Sequence, residues 1–328
     1  MEVPLFTAPS EWTTQATVTE AERNIIQFPE VVQFCRLIQR PTEDVKVIKR
    51  IGSESTEGEV YQIEYQGQMA AIKLMPINSD QDRAKNQTEM EVAQQVSQMV
   101  ADNECSNFPM VFEVGRCQNV WFFRPEWRKL GEQYACLKYL QSLVPTAKAK
   151  QLAALYRQGL SLQQIADRFN LDLAGCHDLP VACDFMISEL AHEDLSSWAQ
   201  RPHSVAEWKN VIYQILAAIV CLHTGTHMIH GDLHWGNILI KQMAGTVTAV
   251  PSQQGWSLGR KRVLALLHDF GKSEPLTATN HQDDIIKFCA AANAAQYQLP
   301  IEIKMWFQQS ERMLAEGAEL EDLQQSLF

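Results

Sequence analysis

The chain has 328 residues, with 28 Lys+Arg against 39 Asp+Glu and a formal net charge of −11. That balance argues against broad electrostatic binding to nucleic acid or to anionic membranes, without excluding a local basic patch. At 46% hydrophobic residues there is material for a packed core, in one large domain or two smaller ones. The opening stretch "MEVPLFTAPSEWTTQ" lacks the basic and apolar regions of a secretory signal. The longest apolar runs, such as "ILAAIVCL", are far short of a membrane span, so no membrane contact is expected. Eight cysteines without a C-x-x-C pair suggest reduced thiols in an intracellular setting.

In chain order, residues 1–45 form an N-terminal extension with a helical pattern in "FPEVVQFCRLIQR". "DVKVIKRIG" reads as a strand, and "GEVYQIEYQGQMAAIKLM" as two more joined by a tight turn at Gln66-Gly67. Val60, Gln62 and Glu64 alternate with Tyr61, Ile63 and Tyr65, the period of a half-buried strand. From Asp82 to Val100 the spacing turns helical. "FPMVFEVGRC", "VWFF" and "CDFMISEL" are strand-like, with a helical insert at about 120–182. "SVAEWKNVIYQILAAIVCLHTG" is a buried helix that ends in a glycine. "NILI" and "RVLALLHDFG" are strands flanking a polar excursion, and the remainder from about 282 is helical.

This order predicts an α+β fold of two lobes. The N-lobe covers 46–190, the core of a shortened helical C-lobe 191–290, and a C-terminal helical segment 291–328.

Five features follow one another along the chain in an order that suits phosphate chemistry. In "IGSESTEGEV", Gly52 and Gly58 fit the outer glycines of a phosphate-covering hairpin and Val60 the residue over the base. The middle glycine is absent, and the loop is one residue longer than usual. "AAIK" ends a strand at Lys73, a cation suited to the α- and β-phosphates, with Ala71 in the same ATP-binding set. Glu89 in "TEMEVAQQV" is preferred as the lysine's carboxylate partner over Glu91, which points to another helix face. "MIHGDLHWGNILI" supplies Asp232 for the acceptor hydroxyl and Asn237 for a magnesium ion. "HDFG" supplies Asp269 as the second magnesium ligand.

His230 and His234 could instead read as zinc ligands. Zinc requires neither Asn237, nor a D-F-G after the next strand, nor an upstream lysine strand. His230 is expected to be a buried histidine that braces the loop.

With those residues in place, the sequence resembles the protein-kinase superfamily, and within it the haspin-like serine/threonine kinases. "DLHWGNIL", the long excursion from Lys241 to Arg262 and "NFPMVFEVGRC" carry the likeness. The resemblance implies an ATP- and Mg2+-dependent protein kinase. In it Lys73 and Glu89 form an ion pair, Asp232 is the catalytic aspartate, and Asn237 and Asp269 bind metal. Glu189 to Ala191 would form the adenine-binding hinge, and Asp194 would meet the ribose. A protein substrate is implied, with a histone tail as one to test.

The sequence departs from the pattern at Gly231, where those kinases have arginine. Only 14 residues separate Asp269 from Asp284, and no A-P-E follows, so activation by phosphorylation of that segment is not expected. "HGDLHxGN" is also the pattern of aminoglycoside and choline kinases, which keeps a small-molecule phosphotransferase open. A nucleotide-binding pseudokinase scaffold is the third reading, supported by the irregular glycine loop.

Within the insert, "LYRQGLSLQQIADRFNL" reads as a helix-turn-helix, with a turn at Gly159 and a capping box at Ser161 and Gln164. Leu155, Leu160, Ile165 and Phe169 would form its small core. Lys148, Lys150, Arg157 and Arg168 make residues 148–170 locally basic, the one place where nucleic acid could bind. A docking hairpin is the alternative. The cysteines around it, with His177, match no standard zinc finger, and buried free thiols are expected.

Overall fold

The computed structural model describes residues 26–40, 43–52, 58–176, 179–243, 262–294 and 297–327. The interior of the glycine loop, His177 and most of the polar excursion lie outside these. The described chain divides into two compact units: residues 27–87 with 112–187, and residues 88–111 with 188–328 and Ile26.

The first unit is built on a sheet of order β1-β2-β3-β5-β4. Helix α1 (Val31–Gln39) precedes β1 (Val45–Ile51), β2 (Glu59–Tyr65) and β3 (Gln68–Pro76), which form an antiparallel meander. The turn between β2 and β3 places Gln66 at φ 50 and Gly67 at φ 78, the left-handed pair that matches the twist of a two-residue hairpin. Helix α2 (Asp80–Ala101), whose residues from Thr88 on belong to the second unit, follows, then β4 (Val111–Gln118). The stretch "VWFF" forms a turn, not the expected strand. There Trp121 is exposed and Phe122 packs edge-on to Tyr61 at 5.2 Å.

The insert is three helices, α3 (Pro125–Ser142), α4 (Thr146–Arg157) and α5 (Leu162–Phe169), before β5 (Ala182–Ser188). The expected capping box is present, with Ser161 and Gln164 each accepting from the other's backbone N–H. Leu140, Leu152 and Ile165 are fully buried, and Leu155, Leu160 and Phe169 pack on them. Arg116 reaches the buried Asp184 at 2.8 Å, and Asn86 donates to the same carboxylate at 3.1 Å. The sheet and the start of α2 are thereby joined inside the unit.

The expectation of reduced thiols is corrected for four of the eight cysteines. Cys35–Cys117 ties α1 to β4, and Cys136–Cys176 ties α3 to the turn after α5. The partners stand 82 and 40 residues apart in sequence, so only the fold brings them together. Cys105, Cys183, Cys221 and Cys289 remain free.

In the second unit, β6 (Glu193–Asp194) leads into α6 (Leu195–Trp198) and α7 (Val205–Thr226). A second capping box, Ser204 with Glu207, starts α7, which runs on through Gly225 to a left-handed His227 at φ 56. The expected glycine terminator is therefore two residues early. α7 is long and apolar enough to cross a membrane by length and composition alone, a test that a buried core helix also passes. Its residues from Trp208 to Leu222 include nine of the unit's buried hydrophobic side chains, so it serves here as a core helix. Then come β7 (Met228–Ile229), β8 (Ile238–Met243), β9 (Arg262–Leu267) and β10 (Glu274–Pro275), followed by α8 (Asp283–Ala294), α9 (Ile301–Ala315) and α10 (Leu320–Ser326). β8 pairs antiparallel with both β6 and β9, and β10 pairs with β7.

Candidate active site

The loop between β7 and β8 holds Asp232 and Asn237, and its conformation follows from a few buried groups. Asp284, at the start of α8 and fully buried, accepts the backbone N–H of His230 at 2.7 Å and of Gly231 at 2.9 Å. It also meets His223 Nε2 of α7 at 3.2 Å. One carboxylate therefore joins α7, α8 and the loop. Burial alone would push its pKa up. The hydrogen bonds from the His223 side chain and the His230 backbone outweigh that and hold the carboxyl below its usual value.

His230 braces the loop, as expected. It is fully buried, and its Nε2 donates to the carbonyl of His268 at 2.8 Å. That leaves Nδ1 to accept the N–H of Asp232, at a long 3.4 Å. His234 turns elsewhere: its Nδ1 accepts from Gly236 N at 3.0 Å. The two imidazoles serve separate hydrogen bonds, and no group of three or more His, Cys, Asp or Glu among the described residues could hold a metal.

Asn237 is buried, and its Nδ2 donates to the backbone carbonyl of Asp232 at 3.0 Å. This leaves Oδ1 as the acceptor end of the amide. The backbone carbonyl of Asn237 accepts the N–H of His268 at 3.2 Å. Asp269 follows at φ 69, a left-handed backbone that carboxylate residues tolerate better than most. Phe270 is buried, 5.3 Å from the ring of His230 and 6.3 Å from Phe108. Asn237 is thus bonded directly to Asp232, and Asp269 follows the residue whose N–H bonds Asn237. The Asp232 carboxylate is ion-paired with Lys272 at 2.7 Å.

Two further predicted residues sit nearby in sequence to β5. Glu189 is buried, its backbone N–H donates to Met110 O, and its carboxylate takes Met110 N–H and Lys241. Asp194 caps α6, with Oδ1 accepting Ser197 N at 2.8 Å and Oδ2 meeting Ser197 Oγ at 3.2 Å. Its carboxylate has a structural task that the sequence did not signal. On α2, Glu89 is buried and Glu91 exposed.

In the sheet unit, Val60 lies directly across from Lys73 in the β2–β3 pairing, and Ala71, on β3, is buried. A side chain at Gly58 would meet Leu74 O at 2.9 Å and the Lys73 Cε at 3.3 Å. Only glycine lets the start of β2 pass so close to the lysine stem. Gly52, at φ 80, turns the chain out of β1.

No protein-family model matches the chain. Two short curated matches exist: 37% identity over 49 residues to the serine/threonine-protein kinase haspin of Bos taurus, and 37% over 54 residues to that of Mus musculus. They cover 15% and 16% of this chain but 6% and 7% of those proteins. What they support is a kinase-like relationship, with which the α+β fold, its five-stranded sheet and its many helices are compatible.

Proposed function

We propose that the chain is an ATP- and Mg2+-dependent phosphotransferase that places the γ-phosphate on serine or threonine hydroxyls of proteins. The supporting observation is the braced loop of residues 230–237, in which one buried carboxylate, one buried histidine and one buried amide fix the backbone around Asp232. Its donor set fits a hard cation: Asn237 Oδ1 and the Asp269 carboxylate are oxygen ligands too few for a closed protein cage. That suits a Mg2+ whose other positions are filled by phosphate oxygens and water. When bound, Mg2+ supplies neutralisation of the charge that develops on the transferred group.

In this reading Asp232 orients the acceptor hydroxyl and takes its proton, while the Asn237–Asp232 hydrogen bond keeps base and ligand in register. Lys73 neutralises the nucleotide's phosphates, and Gly52, Gly58 and Val60 cover the nucleotide. The base hydrogen-bonds to the Glu189 carbonyl and the Ala191 N–H. A small-molecule acceptor is the second reading, favoured by Gly231 and by the tight return of the chain after Gly271.

The test is transfer of labelled γ-phosphate from ATP with Mg2+ to histones and a generic basic protein. Asp232→Asn should cut labelling by about 10²- to 10⁴-fold, and Asp269→Ala should abolish it. Labelling that survives both changes would overturn the assignment. ATP consumption only with an added alcohol-bearing small molecule would select the second reading.

A further inference from the structure

The residue after D-F-G is Lys272, and its place is set by backbone rather than by a mobile side chain. Ser273 N–H closes a turn onto Phe270 O at 3.0 Å, and Glu274 of β10 then pairs with Ile229 of β7. Leu276 N–H donates to His227 O at 2.9 Å. The chain leaving Asp269 is therefore stitched at once to the strand that leads into Asp232. The closeness of that stitch is visible at Gly231, which has φ 76. A Cβ there would stand 2.1 Å from the backbone carbonyl oxygen of Lys272. The position where related kinases carry arginine is filled by the Lys272 main chain. The Lys272 side chain, half-exposed, then returns to put its ammonium 2.7 Å from Asp232 Oδ2.

We infer that Lys272 is a further cation of the phosphoryl-transfer site, resting on Asp232 until acceptor and nucleotide bind and then contacting the transferred phosphoryl. The inference rests on the phosphotransferase reading of Asp232. The carboxylate that orients an acceptor hydroxyl lies beside the in-line path from that hydroxyl to phosphorus. An ammonium within hydrogen-bond reach of that carboxylate is therefore also near the equatorial phosphoryl oxygens. Lysine suits the exchange, since its compact charge on a flexible stem can change partners without a fixed fork geometry. No bond to Lys272 forms or breaks; the hydroxyl proton passes to Asp232, and the γ-phosphoryl moves from ATP to the acceptor oxygen, with ADP leaving. The charge lost at position 231 is thereby replaced, three residues beyond Asp269, by one that needs no phosphorylation to be positioned.

The experiment compares wild type, Lys272→Ala and Lys272→Arg for transfer from Mg2+-ATP to histones, with kcat and the KM for ATP measured separately and melting temperature alongside. Lys272→Ala should lower kcat about 10- to 100-fold, as for loss of one preorganised charge, with KM for ATP changed less than about threefold. Ethylammonium added to Lys272→Ala should restore part of kcat, and Lys272→Arg should retain more than Lys272→Ala. A Lys272→Ala enzyme with wild-type kcat, or one whose loss tracks a drop in melting temperature without amine rescue, would overturn the inference while leaving the phosphotransferase reading intact. Wild-type protein that transfers no phosphate to any acceptor would overturn both.

Discussion

Asp284 stays charged although fully buried, because its oxygens receive two backbone N–H groups and an imidazole. Removing one partner from such a buried set strands the others, so Asp284→Ala should cost about 3 to 5 kcal/mol of stability, read as the urea midpoint of unfolding. The pH dependence has a definite sign. The folded pKa is depressed below the ordinary value, so the contribution is complete above the unfolded pKa of about 3.9 and is lost as pH falls through the lower folded pKa. Wild type should lose stability across that acidic window more steeply than Asp284→Asn. Nothing in the sequence separates Asp284 from its neighbour Asp283, since burial, not residue type, gives it the task. Gly231 is the opposite case: it was plain as a departure from the kinase pattern, yet its reason lay in the Lys272 carbonyl. Gly231→Ala should cost at least about 1 to 3 kcal/mol through its left-handed backbone alone, and the 2.1 Å approach adds to that. Restoring arginine there should be worse, not better, for phosphate transfer.

Elements with a strong local signal were legible. The β2–β3 hairpin announced itself by alternation and a Gln-Gly turn, and α5 by its capping box, because those signals depend on neighbours within a few residues. "VWFF" misled because β-prone side chains also serve to pack a turn against the sheet, as Phe122 does on Tyr61. Gly225 misled because a glycine can continue a helix when the next left-handed residue, His227, supplies the stop. The capping box gives a clean test of the insert: Ser161→Ala should lower its stability by about 1 kcal/mol. Ile165→Ala, which empties the centre of the three-helix cluster, should cost about 2 to 5 kcal/mol. Hydrogen exchange of α3 to α5 would show both effects, with the second spreading to α3 and α4 because Leu140 and Leu152 share that core.

Across the whole chain, the cysteines divide by unit in a way that no spacing rule could reveal. Both bridges lie in the sheet-and-insert unit, and three of the four free thiols lie in the other. The fourth, Cys183, is buried, and burial, aided by the charge of Asp184, pushes its thiol up to about 12. A thiol so far from ionising is a poor nucleophile, so it is no ready partner for exchange with the bridges of its unit. Loops of 82 and 40 residues each restrict the unfolded chain enough for a stabilisation of about 4 to 5 kcal/mol in the chain-entropy account. Both contributions fall on the unit that carries Lys73, and neither on the unit that carries Asp232 and Asp269. Reductant should therefore lower the melting of one unit and leave the other near its oxidised value. Calorimetry with and without dithiothreitol should resolve one transition into two, and Cys35→Ser/Cys117→Ser should reproduce part of the shift without reductant. A single transition that moves as a whole would show instead that the two units unfold together, the bridges then stabilising Asp232's surroundings as much as their own.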